Sequence, residues 1–187
     1  MRNFRSEATV CEEVLKFWFK ELEPKQWWVV DPVLDAKIAD RFGALLCSAA
    51  QGELYPWRAT PRGRLAEVIV LDQFSRNVHR NTPAAFSQDP VALALSQEAI
   101  AFGVLVHLDA VERSFLLMPL MHSESPAIHV EAERQFKEWA LPTSYEFELR
   151  HKAIIDRFGR YPHRNAILGR ESTPEEVEFL KQPGSGF

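Results

Sequence analysis

Charged and polar side chains that could bind an anion or transfer a proton are concentrated in three separate stretches of the chain. In the first stretch, residues 72–80, Asp72 and Arg76 stand four positions apart and share a narrow helical face with Leu65 and Ile69. An Asp four residues before an Arg on a largely apolar helix predicts an ion pair. The pair is either a buried structural salt bridge or part of a binding site, and the sequence leaves both open.

Asn77 and Arg80 follow where this helix is expected to end and another to begin at Thr82-Pro83. Free backbone N–H groups at such a helix start, with Arg80 beside them, could hold a phosphate or a carboxylate. The alternative is a solvated turn in which Arg80 only binds the last carbonyl groups of the helix. The pattern favours neither interpretation.

The second stretch places His122 and Glu124 directly after the apolar run 115–121, which contains Pro119. Pro119 lacks an N–H group, so it is expected to kink the helix or to tighten its last turn. His122 and Glu124 could satisfy the carbonyl that this kink exposes. They could equally form an acid/base pair at the end of an apolar wall.

The third stretch contains a helix end and a polar loop. His151 lies inside an apolar helical stripe, where a histidine is more often a core residue than a catalyst. Arg157 lies near the end of the same helix, and the loop that follows carries His163, Arg164 and Asn165. Loops dense in polar groups on a rigid scaffold are where function tends to lie.

Residues 72–80, 122–124 and 156–165 together contain five Arg and three His, but only the acidic residues Asp72, Glu124 and Asp156. Buried ion pairs alone rarely need so many more donors than acceptors, so the excess predicts a pocket for an anionic small molecule or chain terminus. The candidate catalytic residues are His122 and His163. The candidate ligand-binding residues are Asp72, Arg76, Asn77, Arg80, Glu124, His151, Arg157, Arg164 and Asn165.

Two other functions fit the same residues. The pocket could belong to a hydrolase or lyase that uses a His as general acid/base and an Arg to stabilise negative charge. Alternatively, the chain is a helical protein-interaction scaffold, with the polar clusters as internal supports and Trp27-Trp28 as an anchor for a partner. Whether the protein is an enzyme stays open. No cofactor or metal is predicted, because phosphate-loop, dinucleotide and metal-ligand spacings are absent from the sequence.

The elements that must position these residues are all helical. Asp, Ser or Thr followed by Pro marks helix starts, as at Asp31-Pro32, Thr82-Pro83, Asp89-Pro90 and Thr173-Pro174. A Thr9–Glu12 capping-box pattern marks the first start. The predicted helices span residues 9–22, 32–50, 62–77, 83–103, 109–122, 126–140, 144–159 and 174–181. We therefore predict one all-α domain over residues 1–187, with a flexible tail at 181–187.

The composition excludes several classes of protein. Apolar residues make up 46% of the 187 residues and the formal net charge is −4, which is typical of a packed globular protein and argues against a nucleic-acid binder. No run approaches the ~18 uninterrupted apolar residues of a membrane span. A cytoplasmic protein that binds neither membrane nor nucleic acid is the expectation, and its oligomeric state is not indicated.

Several longer motifs resemble a known family. They are Leu71-Asp72-Gln73-Phe74-Ser75-Arg76-Asn77, Arg80-Asn81-Thr82-Pro83-Ala84-Ala85-Phe86, Leu120-Met121-His122-Ser123-Glu124, Arg157-Phe158-Gly159-Arg160-Tyr161-Pro162-His163-Arg164-Asn165 and Leu168-Gly169-Arg170. In order and spacing they resemble the bacterial family named domain of unknown function 924. The resemblance runs from about residue 12 to residue 180.

The resemblance implies a tetratricopeptide-like fold of stacked antiparallel helix pairs, about eight helices in all. It implies no activity, because the family has none assigned. Two positions depart from the family pattern: Ser75 stands where members often have Pro, and Pro126 stands where they have a polar residue. The tetratricopeptide sequence signature is itself absent, so a peptide-binding groove is not implied.

Overall fold

The protein is described here by a computed structural model, which covers residues 7–186. Over these residues the chain forms eight helices and no strand, as predicted. The helices are α1 (Glu7–Lys16, continued by a π-helical turn Phe17–Glu21), α2 (Pro32–Ala50), α3 (Pro61–Ile69, a π-helical turn Val70–Phe74, and Ser75–Val78), α4 (Asp89–Ala101), α5 (Ala110–Met121), α6 (Pro126–Trp139), α7 (Pro142–Phe158) and α8 (Pro174–Leu180).

Two of the four predicted starts at an Asp-Pro or Thr-Pro pair have the expected side-chain cap, and Thr82 and Asp89 do not. The Asp31 carboxylate accepts from the backbone N–H groups of Val33 and Leu34, and Thr173 forms a reciprocal capping box with Glu176. The first helix is already formed at Glu7, the first residue that the structure describes. The side chain of Thr9, which carried the predicted cap, lies outside the part of the chain whose side chains are described.

The predicted helix 83–103 is in fact two elements. A short 3₁₀ turn spans Pro83–Phe86, and α4 begins only at Asp89. Each of the two Pro-containing starts therefore begins an element of its own. The carboxylate of Asp89 does not cap α4, because Arg76 and Arg164 bind it instead. The interruption thus brings an acidic side chain to the polar centre of the molecule.

Helix α3 lies at the centre of the fold. Its first segment packs against α1, its later segments pack against α2, and α4 and α5 also contact it. The residues from Val68 to Leu71 are almost wholly buried, which agrees with an apolar helix covered on most sides. Helices α4, α5 and α6 each pack against the next helix along the chain. Tetratricopeptide-like stacking of regular helix pairs stays a prediction.

The two adjacent tryptophans have different surroundings. Trp27 is partly buried, stacks on Trp18 and donates its indole N–H to the Trp18 carbonyl at 2.9 Å. Trp28 stacks on Phe115 but keeps 64% of its surface exposed. Trp27 therefore serves packing, and a partner-binding role for Trp28 stays a prediction. In the described residues, no helix is long and apolar enough to cross a membrane.

The start of α3 packs closely against the backbone of Trp57 at Gly63. A Cβ atom at this position would lie 2.0 Å from the backbone oxygen of Trp57, whereas a Cβ at Gly43, inside α2, meets nothing within 4 Å. We expect Gly63→Ala to lower the free energy of unfolding by roughly 3 kcal/mol or more, because backbone must move. Gly43→Ala should raise it by about 0.5–1 kcal/mol through helix propensity. Urea unfolding of both variants measures the difference, and equal effects would contradict this packing.

Candidate functional site

Residues of the second and third polar stretches line one pocket of about 360 Å³, and Asp72 and Arg76 of the first stretch lie behind its wall, bonded to His122 and Asp89. Asp72 and Arg76 come from α3, Asp89 from the start of α4, His122 from the end of α5, and Arg164 from a 3₁₀ turn, Pro162–Arg164. The pocket wall consists of Pro83, Phe86, Ser87, Asp89, Pro90, Leu93, Pro119, His122, Ser123, Glu124, Arg164 and Leu168. A mainly apolar concavity with a few convergent polar groups is typical of a small-molecule site.

His122 and Asp72 form a directly bonded pair at the back of the pocket. Nδ1 of His122 lies 2.7 Å from Oδ1 of Asp72, whose side chain is almost completely buried. Asp72 sits in the π-helical turn of α3, a distortion that is frequent at functional sites. No described residue forms a hydrogen bond with Nε2 of His122, so this nitrogen is available to the pocket.

The charge of Asp72 is maintained by its neighbours. Burial alone would raise the pKa of the carboxyl group, but the charge of Arg76 and the hydrogen bonds from His122 and Gln73 hold it below its ordinary value. Burial and the nearby Arg76 charge lower the pKa of His122 below its ordinary value. At neutral pH the pair is therefore a carboxylate beside a neutral imidazole.

Arg76 is fully engaged with protein acceptors. It donates to the backbone oxygen of Asp72 at 2.8 Å and to the Asp72 carboxylate at 3.1 Å. It also binds Asp89 with both terminal nitrogens, at 2.9 and 3.0 Å. Arg76 thus joins α3 to the start of α4 and holds the two carboxylates in place. It is a strut behind the pocket rather than a group on its wall.

Arg164 has the opposite character. Its exposed fraction is 6%, and its guanidinium lies 4.6 Å from the ring centroid of Phe86 and 4.7 Å from that of Tyr161. The one hydrogen bond that this guanidinium donates within residues 7–186 goes to Asp89 at 3.3 Å, and its buried Nε has no acceptor there. Burial and the Arg76 charge lower the pKa of Arg164. This buried cation lacks most of the acceptors it could use.

Glu124 closes one side of the pocket. Arg170 binds its carboxylate through two nitrogens, at 2.6 and 2.9 Å, and the backbone N–H of Tyr161 donates to it at 2.7 Å. Against the effect of burial, these partners keep the pKa of Glu124 below its ordinary value. Glu124 is a paired wall residue, and it does not bond to His122 as an acid/base partner.

Asn77 and Arg80 point away from the pocket. Both bind Asp35 of α2: Asn77 through its amide N–H at 2.8 Å, and Arg80 through two nitrogens at 2.5 and 2.8 Å. They connect the end of α3 to α2. Neither of the two alternatives inferred from sequence, an anion at the next helix start or capping of carbonyl groups, corresponds to this arrangement.

Arg157 and Asn165 also lie outside the pocket. Arg157 pairs with Glu175 on a half-exposed surface, at 2.8 and 2.9 Å. Asn165 is buried, accepts from Arg170 at 2.9 Å and donates to Ser172 and Glu176. Arg157 therefore ties α7 to α8, and Asn165 organises the loop that carries Arg164.

His151 and His163 pack around the buried ring of Tyr161, not at the pocket wall. His151 bonds through Nδ1 to the Phe147 carbonyl at 2.8 Å, and burial lowers its pKa to about 3. His163 lies 5.5 Å from the Tyr161 ring, and burial together with the Arg164 charge lowers its pKa to about 4. Both are neutral at pH 7 and serve the packing of this region.

The donor excess inferred from the sequence is largely removed by carboxylates outside the three stretches. Asp35 binds Arg80, Asp89 binds Arg76, and the last two arginine partners come from α8, where Glu175 and Glu176 bind Arg157 and Arg160. Of the five arginines, Arg164 alone keeps substantial unused donor capacity within the described part of the chain.

Three sets of contacts around the pocket could not be inferred from the sequence. The pair Asp89-Pro90 predicts a helix start, and nothing in the sequence indicates that the Asp89 carboxylate binds Arg76. Arg170 belongs to one of the family motifs, but its partner Glu124 lies 46 positions away in the sequence. A second His–carboxylate pair, His129 with Glu148, is entirely buried between α6 and α7. The two residues stand 19 positions apart on different helices, and no local sequence pattern indicates that they pair.

The described residues form no second site with convergent polar groups. A concavity of about 400 Å³ between α1 and α2 is lined by Val10, Glu13, Lys16, Arg41, Phe42 and Leu45. Its Arg41 already binds Glu21 through two nitrogens, and no buried polar group faces it. No cluster of three His, Cys, Asp or Glu side chains within residues 10–186 is arranged to hold a metal ion.

Comparisons with known proteins agree with this architecture. A solved structure of a protein of unknown function from Agrobacterium tumefaciens superimposes with a TM-score of 0.89. The two sequences are 34% identical, and the match covers 94% of this chain and 99% of the other. No curated protein matches the chain significantly. Residues 14–184 match the family described as bacterial protein of unknown function, DUF924, and the chain belongs to that family.

Proposed function

We propose that the pocket binds a small molecule through a carboxylate, with Arg164 as the group that receives it. The observation that carries the proposal is the state of Arg164: a buried cation on the pocket wall whose one hydrogen bond to a described residue is 3.3 Å long. A buried charge without hydrogen-bond partners costs free energy, and an incoming carboxylate offsets that cost.

The geometry of the Arg164 side chain supports recognition of a planar anion. The guanidinium packs against the rings of Phe86 and Tyr161, 4.6 and 4.7 Å from their centroids, so an anion would be bound by the N–H groups at its edge. The edge of a guanidinium presents two parallel N–H groups that match the two oxygens of a carboxylate. The apolar wall formed by Pro83, Leu93 and Leu168 suits an uncharged body attached to that carboxylate.

Charge around the pocket favours a single negative charge on the ligand. Three carboxylates, those of Asp72, Asp89 and Glu124, face the three arginines Arg76, Arg164 and Arg170. These charges cancel, and His122 is neutral. A phosphate dianion would bring two charges into a site that has no net positive charge to match them. A monocarboxylate with an apolar body is therefore the preferred class, and the cytoplasm is the proposed compartment from sequence alone.

Binding is tested with benzoate, short aliphatic carboxylates and inorganic phosphate in a thermal-shift and calorimetry series. A carboxylate at 100 times its dissociation constant should stabilise the protein by about 2.7 kcal/mol. Arg164→Met should abolish this stabilisation. Arg157→Met is the matched control. It removes a half-exposed arginine that pairs with Glu175, and it should retain the stabilisation.

Two results would contradict the proposal. The first is an absence of stabilisation by any carboxylate in the series. The second is stabilisation that survives Arg164→Met, and its loss in Arg157→Met would then place the anion at the surface. Stronger stabilisation by phosphate than by benzoate would keep the pocket as an anion site but overturn the preference for a monocarboxylate.

A further inference from the structure

We propose that the pocket is a hydrolytic site, in which His122 is the general base that activates water against an ester bond of a carboxylate-bearing substrate. Asp72 is the positioning residue for His122, and Arg164 holds the substrate carboxylate. The inference rests on the proposed carboxylate binding and adds to it a reaction and a class of substrate.

The orientation of the imidazole is the first support. The Asp72 carboxylate accepts the proton of His122 Nδ1 over 2.7 Å, which fixes the tautomer with its proton on Nδ1. Nε2 then presents a lone pair, and no described residue bonds to it. Because His122 lies on the pocket wall, that lone pair is accessible to a water molecule or a substrate.

The second support is a comparison within the molecule. His129 makes the same kind of pair with Glu148, at 2.7 Å, but its Nε2 is also bonded, to the Ser123 carbonyl at 2.8 Å, and the side chain is wholly buried. His129 is a structural residue, with both ring nitrogens used by the protein. His122 is likewise bonded to a carboxylate through Nδ1, but no described residue bonds to its Nε2, and the side chain lies on the pocket wall.

The third support is that other residues already compensate the buried charge of Asp72 without His122. Arg76 neutralises the carboxylate, and Gln73 donates to its second oxygen at 2.5 Å. A buried carboxylate with a cation and an amide donor is already satisfied. The bond to His122 therefore orients the imidazole, and Arg76 and burial, opposed by Asp72 and Asp89, keep that imidazole neutral and able to accept a proton.

The reaction needs only water as co-reactant. Nε2 of His122 accepts a proton from water while the water oxygen forms a bond to the ester carbonyl carbon, and the C=O π electrons move to the carbonyl oxygen. When the tetrahedral intermediate collapses, the bond between the carbon and the alkoxy oxygen breaks. The departing oxygen takes the proton from Nε2, so a carboxylic acid and an alcohol leave and His122 is neutral again.

The experiment uses esters that differ in the distance from carboxylate to ester: acetoxyacetate, 3-acetoxybenzoate and 4-acetoxybenzoate, each paired with its uncharged methyl ester. We expect the wild-type protein to hydrolyse at least one carboxylate ester and to prefer it over its methyl ester. His122→Gln should lower kcat by about 10²- to 10⁴-fold. Arg164→Met should raise KM for the carboxylate ester, and His107→Gln, at an exposed position, should change neither constant.

The role of Asp72 has its own measurement. In the wild type, kcat/KM should rise with pH through the ionisation of His122 and then reach a plateau. The Asp72 charge raises the pKa of His122, opposing burial and Arg76. Asp72→Asn should therefore lower the plateau and move the rising limb to lower pH. A purely structural role for Asp72 would lower the amount of folded protein without moving the limb.

A second measurement does not depend on turnover or on variants. The ¹⁵N chemical shifts of the His122 ring at pH 7 should report a protonated Nδ1 and an unprotonated Nε2. The opposite tautomer, or a doubly protonated ring, would overturn the proposal. So would the failure of every ester to be hydrolysed faster by the wild type than by His122→Gln. If benzoate still binds in that case, the hydrolytic inference fails and the carboxylate site stands; if benzoate does not bind, both fail.

Discussion

Arg76→Met is expected to lower the free energy of unfolding by about 3–5 kcal/mol. Arg76 is bonded to Asp72 at 3.1 Å and to Asp89 at 2.9 and 3.0 Å, and Met keeps the length of the side chain but none of its donors. The substitution leaves two carboxylates in a buried setting without their shared cation. Urea unfolding at pH 7 measures the loss, and a change below about 1 kcal/mol would show that Arg76 is not the strut described here.

Arg164→Met should behave in the opposite way. Its guanidinium makes one hydrogen bond of 3.3 Å, and Asp89 keeps both bonds from Arg76 when Arg164 is removed. Replacing an incompletely paired buried cation by an apolar side chain should change the free energy of unfolding by less than about 1 kcal/mol, in either direction. Near-neutral stability with lost carboxylate binding identifies a binding residue. A loss as large as that of Arg76→Met would make Arg164 a second strut and remove the basis of the proposed function.

The helices could be predicted from local chemistry because their boundaries depend on residues close in sequence. Asp31 caps its own helix two and three residues on, and Thr173 pairs with Glu176. Asp89-Pro90 carries the same local signal, yet the Asp89 carboxylate binds partners 13 and 75 positions away. A cap signal predicts a helix start, but it does not say what the acidic side chain will bind.

The candidate site was only partly predictable for the same reason. His122, Glu124 and Arg164 line one pocket, whereas Asp72 and Arg76 of the first stretch contact its wall from behind. The division of the arginines into struts and a binding residue depends on acceptors such as Asp35 and Glu175, which belong to other helices. Those contacts follow from tertiary packing, and counting donors and acceptors within short stretches could not reveal them.

Acidification should destabilise the protein well above the range in which carboxylates titrate. Burial lowers the pKa of His151 to about 3, and burial with the Arg164 charge lowers that of His163 to about 4. In the unfolded chain these imidazoles titrate near 6.5. As the pH falls below about 6.5, the unfolded state binds protons that the folded state does not, so stability falls. Each such group contributes up to about 1.4 kcal/mol per pH unit, until the pH reaches its folded pKa.

His151→Phe isolates one of these contributions. The groups around the imidazole are the Phe147 carbonyl, the Tyr161 ring and, as charges at a distance, the other nearby histidines. Glu148 has a pKa raised by burial and acts in the opposite direction, since its protonation favours the folded state. Both proteins keep Glu148, so it cancels when the pH dependence of the variant is subtracted from that of the wild type.

Urea unfolding at pH 8, 7, 6, 5.5 and 5 measures the two dependences. Any constant cost of losing the bond to the Phe147 carbonyl also cancels, because only the change with pH is compared. We expect parallel curves between pH 8 and 7 and a wild-type curve that falls more steeply below pH 6.5, by about 1 kcal/mol per pH unit near pH 5.5. Parallel curves down to pH 5 would mean that His151 takes up its proton in the folded protein as readily as in the unfolded chain. The apolar surroundings of His151, which include Tyr161 and the loop that carries Arg164, would then have to open enough for water to solvate a charged imidazole.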